Sequence, residues 1–166
     1  MSRLLASLVC ALAIMTISPT GGLAHEPSPP AIISADPLAP AARQAAAAVD
    51  AFHSALDRGD TAAAVELLAE DAMIFEEGFV EGSKAEYAAS HLAADAAYSA
   101  AVPSTVTRRS GAAAQGVAWI ATEGRSTGRF GERAVDRVTT ETIVLKRSAH
   151  GWRIVHIHWS SRNATP

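Results

Sequence analysis

The sequence predicts an α+β domain, with helices gathered in its first half and an antiparallel sheet in its second. Three observations predict it. Ala45, Ala48, Val49, Phe52 and Leu56 recur at helical spacing. Ser83-Lys84-Ala85-Glu86 is a capping box, a helix-start signal. From Thr105 onward the chain is a series of runs rich in β-branched and aromatic residues, parted by natural turns. Helices segregated from antiparallel strands define the class.

The 166 residues suffice for one domain, and a formal net charge of −3 offers no basic footprint for nucleic acid. Residues 1–24 read as a cleavable signal peptide. Arg3 supplies positive charge, Leu4 to Ile17 is an apolar run, and Gly22-Leu23-Ala24 ends in a cleavage pattern. The run is too short for a membrane span, which needs about 20 residues. The expectation is cleavage after Ala24, no membrane attachment afterwards, and a periplasmic or secreted protein. Cys10, the single cysteine, lies inside this leader, so the mature chain has no thiol for a disulfide, a nucleophile or a thiolate metal site. Five of the eight prolines fall in residues 25–40, which read as an extended linker.

The folded domain is expected over residues 41–162, with 163–166 as a tail. Ala41 to Arg58 is the first helix, ended by Gly59; Asp60 caps a second, Thr61 to Ala69. Met73-Ile74-Phe75 is a short strand, beside which Phe79-Val80 pairs. The capping box opens a third helix, Lys84 to about Tyr98. Thr105 to Arg109, Gly116 to Gly124, Val135 to Arg147 and Trp152 to Ser161 complete a meander, with turns at 128–131 and 148–151.

These elements carry a resemblance. Val49-Asp50-Ala51-Phe52-His53 with Gly59-Asp60, the segment Phe75-Glu76-Glu77-Gly78, and the hairpin from Thr140-Glu141-Thr142 through Trp152-Arg153-Ile154 to His156-Ile157-His158-Trp159-Ser160 occur in the order and spacing of nuclear transport factor 2-like domains. Over Ala41 to Arg162 the chain resembles the SnoaL-like branch. The resemblance implies a cone: a curved antiparallel sheet wrapped on three helices around a cavity. It also implies homodimerisation through the outer sheet face. Members include isomerases, dehydratases, cyclases, hydrolases and non-enzymes, so the fold alone leaves the reaction open.

The last strand supplies the first site candidates. On a regular strand His156 and His158 share a face, roughly 6.6 Å apart. Two imidazoles on one face of an apolar strand suggest a lined cavity; satisfied polar residues, hydrogen-bonded to the neighbouring strand or facing a dimer interface, are the plainer alternative. His91 joins them if the helical stripe Tyr87, His91, Ala94, Tyr98 faces the sheet. Phe75 and Trp119 complete the expected ligand-binding wall. Glu76, Glu123 and Glu141 are the candidate acids. A carboxyl on an apolar face has a raised pKa or a partner, which suits proton transfer beside a histidine. Cross-strand pairing with Arg125, Arg133 or Arg137 is the alternative for Glu123 and Glu141.

Three functions follow as expectations. The leading one is binding of a small organic molecule in a histidine-lined, partly apolar pocket. The second is proton-transfer catalysis of isomerase, dehydratase or cyclase type, using His156 and His158 with Glu76 or Glu141. The third is a metal-binding protein, in which His91, His156 and His158 hold a divalent transition metal such as zinc, copper, nickel or iron.

Overall fold

The computed structural model describes residues 38–164. The expected leader, and the linker up to residue 37, lie outside the described residues. Leu38 bridges to Gly111 and a 3-10 turn, Pro40–Ala42, leads into α1 (Arg43–Asp57). Then come α2 (Thr61–Glu66), β1 (Leu68–Glu76), β2 (Phe79–Glu81), α3 (Lys84–Ala89) and α4 (Leu92–Ala101). Four long strands follow: β3 (Ser104–Ala114), β4 (Val117–Phe130), β5 (Arg133–Ser148) and β6 (Gly151–Asn163). The six strands form one sheet in the order β2-β1-β6-β5-β4-β3. The class is α+β, as the pattern of elements predicts.

Several elements depart from expectation, each for a local reason. The sheet is mixed, because β1 runs parallel to β6 while every other neighbouring pair is antiparallel. The second helix stops at Glu66 because Leu68 pairs with Ile154, and the Ile154 amide donates to Leu67 O at 2.9 Å. Sheet pairing there outweighs local helix propensity. The third helix is two helices. Ser90 donates through its hydroxyl to both Glu86 O and the buried carboxylate of Glu81, which His91 also engages, and the chain breaks at these two residues. Ser83 caps α3 as the box requires, but Glu86 accepts from the Gly82 amide at 2.6 Å rather than from the cap residue itself. β4 runs on through Gly128, and Gly131, at φ 58°, takes the turn.

Isoleucines set the register of the sheet. Ile74, Ile157, Ile143 and Ile120 lie side by side across β1, β6, β5 and β4, and all four are fully buried. Gly111 continues the row on β3, where a Cβ would meet Trp119 O at 2.6 Å and Ile120 Cδ1 at 2.7 Å. Against this row pack Val49, Phe52 and Leu56 of α1, the apolar stripe visible in the sequence.

Alternation should place Trp152, Ile154, His156 and His158 on one face of β6. It does not. Val144 pairs with His156 and Leu145 with Ile154, so Val155 is an extra residue, a β-bulge. Trp152 and Ile154 point inward before it; Ile157 and Trp159 point inward after it. Both histidines are thereby turned to the outer face. The bulge predicts opposite sensitivities on neighbouring residues. Ile157→Ala should cost about 2–5 kcal/mol in urea unfolding, whereas His158→Ala should stay within about 0.5 kcal/mol of wild type.

Candidate functional site

Two residues beyond the isoleucine row, the inner face changes character. Glu76, Trp159, Glu141, Thr122 and Arg109 form the next row, in register across β1, β6, β5, β4 and β3. Beyond it lie Ser161, Thr139, Gly124 and Val106, then Arg137, Ser126 and Ser104. Gly124 keeps that floor low; a Cβ there would stand 2.9 Å from Thr139 Oγ1 and 3.0 Å from Thr105 O. α1 covers the rows with His53, Leu56 and Asp57, and α4 with its C-cap residue covers them with Ala94, Asp95, Tyr98, Ser99 and Val102. Asp57 accepts a hydrogen bond from Ser99, which ties the two helices together. Between sheet and helices is a cavity of about 560 Å³, within the range of small-molecule sites.

One side of the cavity is an ordered ion pair. His53 Nε2 donates to Glu141 Oε2 at 2.6 Å, and Trp159 Nε1 donates to the same oxygen at 2.7 Å. The Trp159 ring stacks on Phe52 at 6.3 Å, so the hydrophobic core aims the indole. Burial opposes charge on His53, but the hydrogen bond and the carboxylate of Glu141 outweigh it, and its pKa is raised. Burial likewise pushes Glu141 upward, yet the bonds from His53 and Trp159 prevail and hold its pKa below the ordinary value. The two shifts describe one imidazolium–carboxylate pair. Beside it Arg109 binds Asp50 at 2.6 Å.

The other side holds carboxyls without a cation in ion-pair reach among the described residues. Burial, with the charges of Asp95 and Glu77, raises Glu76 to about 7. Asp95 is raised by burial, against the stabilising hydrogen bond it accepts from Tyr87 at 2.8 Å. Among the described residues Glu76 has no hydrogen-bond donor.

The expected site is redistributed. Glu76 and Glu141 face the cavity. His156 and His158 do not: they share a face as expected, but the bulge puts it outside, where His156 Nδ1 donates to Met73 O at 2.9 Å and both rings pack on Phe75. Phe75 and Trp119 lie in those outer rows as well, Phe75 opposite His158 and Trp119 opposite Val144, the partner of His156. Glu123 is also exposed, and pairs with Arg108 at 3.1 Å. Tyr87 is fully buried and does not line the cavity. His91 sits at the break between α3 and α4, against Phe79 and the buried Glu81. The Glu81 hydrogen bond raises its pKa. The expected metal set is therefore not assembled, and among the described residues no three His, Cys, Asp or Glu are placed to hold an ion.

His53, Asp95, Arg109 and Trp159 were not predicted. His53 had a signal: it stands four residues after Val49 and three before Leu56, beside the apolar stripe of α1. Trp159 had none, because its inward direction depends on the bulge.

Comparison with known proteins agrees with this architecture. A family model described as a SnoaL-like domain matches residues 45–164. A "putative ketosteroid isomerase" from Shewanella frigidimarina is 35% identical, over 70% of this chain and 94% of that one, at TM-score 0.68. A "putative dehydratase" of the nuclear transport factor 2-like family from Streptomyces avermitilis is 20% identical, over 74% of this chain and 96% of that one, at TM-score 0.64. A "putative calcium/calmodulin dependent protein kinase II association domain" from Xanthomonas campestris is 19% identical, over 75% and 89%, at TM-score 0.64. No curated protein matches.

The ion pair has a defined pH window. Glu141 stabilises the fold above its unfolded pKa of 4.5, and that contribution fades as pH falls through the lowered folded value. His53 contributes fully below 6.5, and its share fades as pH rises through the raised folded value. Glu141→Gln should therefore lose most stability, about 1–3 kcal/mol, between those two values. Urea unfolding across pH checks this; a gap independent of pH would remove the ion pair.

Proposed function

Because the chain belongs to the SnoaL-like branch of the nuclear transport factor 2-like superfamily, we propose that its cavity binds a small organic molecule and moves a proton on it through Glu76. The observation that carries this reading is a carboxyl in the cavity wall with its pKa raised to about 7. Such a group is half ionised at neutral pH and exchanges a proton readily in either direction. The 35%-identical relative, described as an isomerase, supports the same class.

The chemistry then divides between the two sides. Glu76 as carboxylate takes a proton from a carbon next to a carbonyl, and the electron pair left behind moves onto the carbonyl oxygen. Protonated His53, with Nε2–H held by Glu141, has Nδ1–H without a partner among the described residues. That donor meets the developing negative charge. Where a C=C stands β,γ to that carbonyl, the electron pair returns from the oxygen as the C=O re-forms, the double bond moves into the α,β position, and the γ-carbon takes the proton back from Glu76, so that atoms and charge balance.

The leader pattern of residues 1–24 supports action after export. The outer sheet face, with Met73 41% and Trp119 45% exposed, is where we place contact with a second copy. Sedimentation should show a wild-type dimer and a Trp119→Asp monomer; a monomeric wild type would remove that contact.

The catalytic half is tested with a generic carbon acid. The protein should accelerate exchange of the α-protons of phenylacetone in D2O, followed by NMR, with a rate that rises through about pH 7. Glu76→Gln should lower that rate by about 10²–10⁴-fold. Exchange that survives the substitution would take the role from Glu76.

A further inference from the structure

The charges that line the cavity are unequally matched. Each cation has a carboxylate partner: His53 with Glu141, Arg109 with Asp50, and Arg137 with Glu77 at 2.9 Å. The carboxyls of Glu76 and Asp95 have no cation in ion-pair reach among the described residues, although both line the same cavity. They approach from different elements, Glu76 from the end of β1 and Asp95 from the first turn of α4. A second acceptor in the same row is buried and unpaired among the described residues. Glu141 is 8% exposed, and its Oε1 has no hydrogen-bond partner. Trp159 stands between Glu76 and Glu141 in register and lines the cavity.

Two carboxyls without a cation partner among the described residues, with an aromatic ring in the neighbouring row position, leave that side of the cavity short of positive charge, whereas the unpaired N–H groups of the lining, His53 Nδ1 and the buried Arg137 Nε, belong to side chains already held by Glu141 and Glu77. We propose that the molecule taken by this cavity is an organic amine, bound as its ammonium ion between Asp95 and Glu76 beside the Trp159 ring. The proposal rests on the reading of the cavity as a small-molecule site and specifies the class of molecule.

The chemistry favours this class in three ways. An ammonium ion relieves the repulsion between Glu76 and Asp95 and supplies positive charge to two carboxyls that have no cation partner among the described residues. The indole face adds cation–π attraction in a partly desolvated place. An anion of the same skeleton meets two unpaired carboxyls, while every cation of the lining is already engaged. The amine also prepares the base: a positive charge next to Glu76 favours its ionised form, so binding of the ligand ionises the group that takes the proton.

The groups that act on Glu76 from its neighbours set the pH response. Asp95 of α4, Glu77 of its own segment and Glu81 of β2 raise it, and His91 lowers it. Since Glu76 titrates near 7, an ammonium that needs the carboxylate should bind about tenfold more tightly at pH 8 than at pH 6.

Three probes with one skeleton test the proposal by calorimetry on the full chain: 3-phenylpropylamine, 3-phenylpropan-1-ol and 3-phenylpropionate. The expected result is that the amine binds at least about tenfold more tightly than the alcohol and the acid not measurably. Glu76→Gln and Asp95→Asn should each erase most of that preference. Asparagine still accepts from Tyr87, so the second variant keeps the local bond. Below pH 7 the amine should displace protons, seen as a binding heat that depends on the buffer. Equal affinity for amine and alcohol, or tighter binding of the acid, overturns the amine assignment while the cavity remains a small-molecule site. A preference for the amine that survives both substitutions overturns it as well. Failure of all three probes overturns the assignment together with the reading of the cavity on which it rests.

Discussion

One extra residue in the last strand decides which side chains meet the cavity. Val155 opens a bulge between Ile154 and His156, and the alternation of β6 reverses there. Without it Trp159 would face outward and the histidines inward. With it the indole reaches Glu141, and Ser161 reaches the floor of the cavity. A bulge changes direction at small local cost, yet it reassigns every side chain that follows. The polar row, the ion pair and the roof over them all depend on that reversal.

From that constraint the inner face reads as a gradient along the strands. The isoleucine row is dry and anchors α1. The next row is polar, but most of its members are already engaged: Glu141 by His53 and Trp159, Arg109 by Asp50. The rows beyond are mostly small or hydroxylated, with Val106 and Arg137 at their edges, and the space left between them and the helices is the cavity. Function is thus placed where the packing core stops. The aromatic core still governs that boundary, since Phe52 aims Trp159 and Tyr87 holds Asp95. A carboxyl pushed to about 7 and an imidazolium fixed by a buried carboxylate are two consequences of one partly desolvated space.

Much of the fold is legible in the sequence. The stripe of α1, the cap of α3 and the four long strands follow from spacing, capping and β-branched content. Legibility fails where distant pairing overrides local preference. Leu68 leaves the helical pattern to join Ile154, and Ser90 and His91 break a helix to reach the buried Glu81. The site is legible only in part, for the same reason. Glu76 and Glu141 lie on the inner face because their strands alternate regularly near them. The histidines of β6 mislead because parity was counted across a bulge that no residue type announces: Val155 is an ordinary strand residue. His53 was within reach, as a polar residue flanking an apolar helical stripe.

The contact that depends most directly on the reversal is the meeting of His53 and Trp159 on Glu141 Oε2. It is observable as a nuclear Overhauser effect between the imidazole Nε2 proton of His53 and the indole Nε1 proton of Trp159, in protein labelled with 15N near pH 6. The expected result is a strong cross-peak between two slowly exchanging protons. A Trp159 indole proton that exchanges at the rate of bulk solvent, with cross-peaks to the rings of His156 or His158 instead, would place the indole on the outer face and contradict the inner-row site.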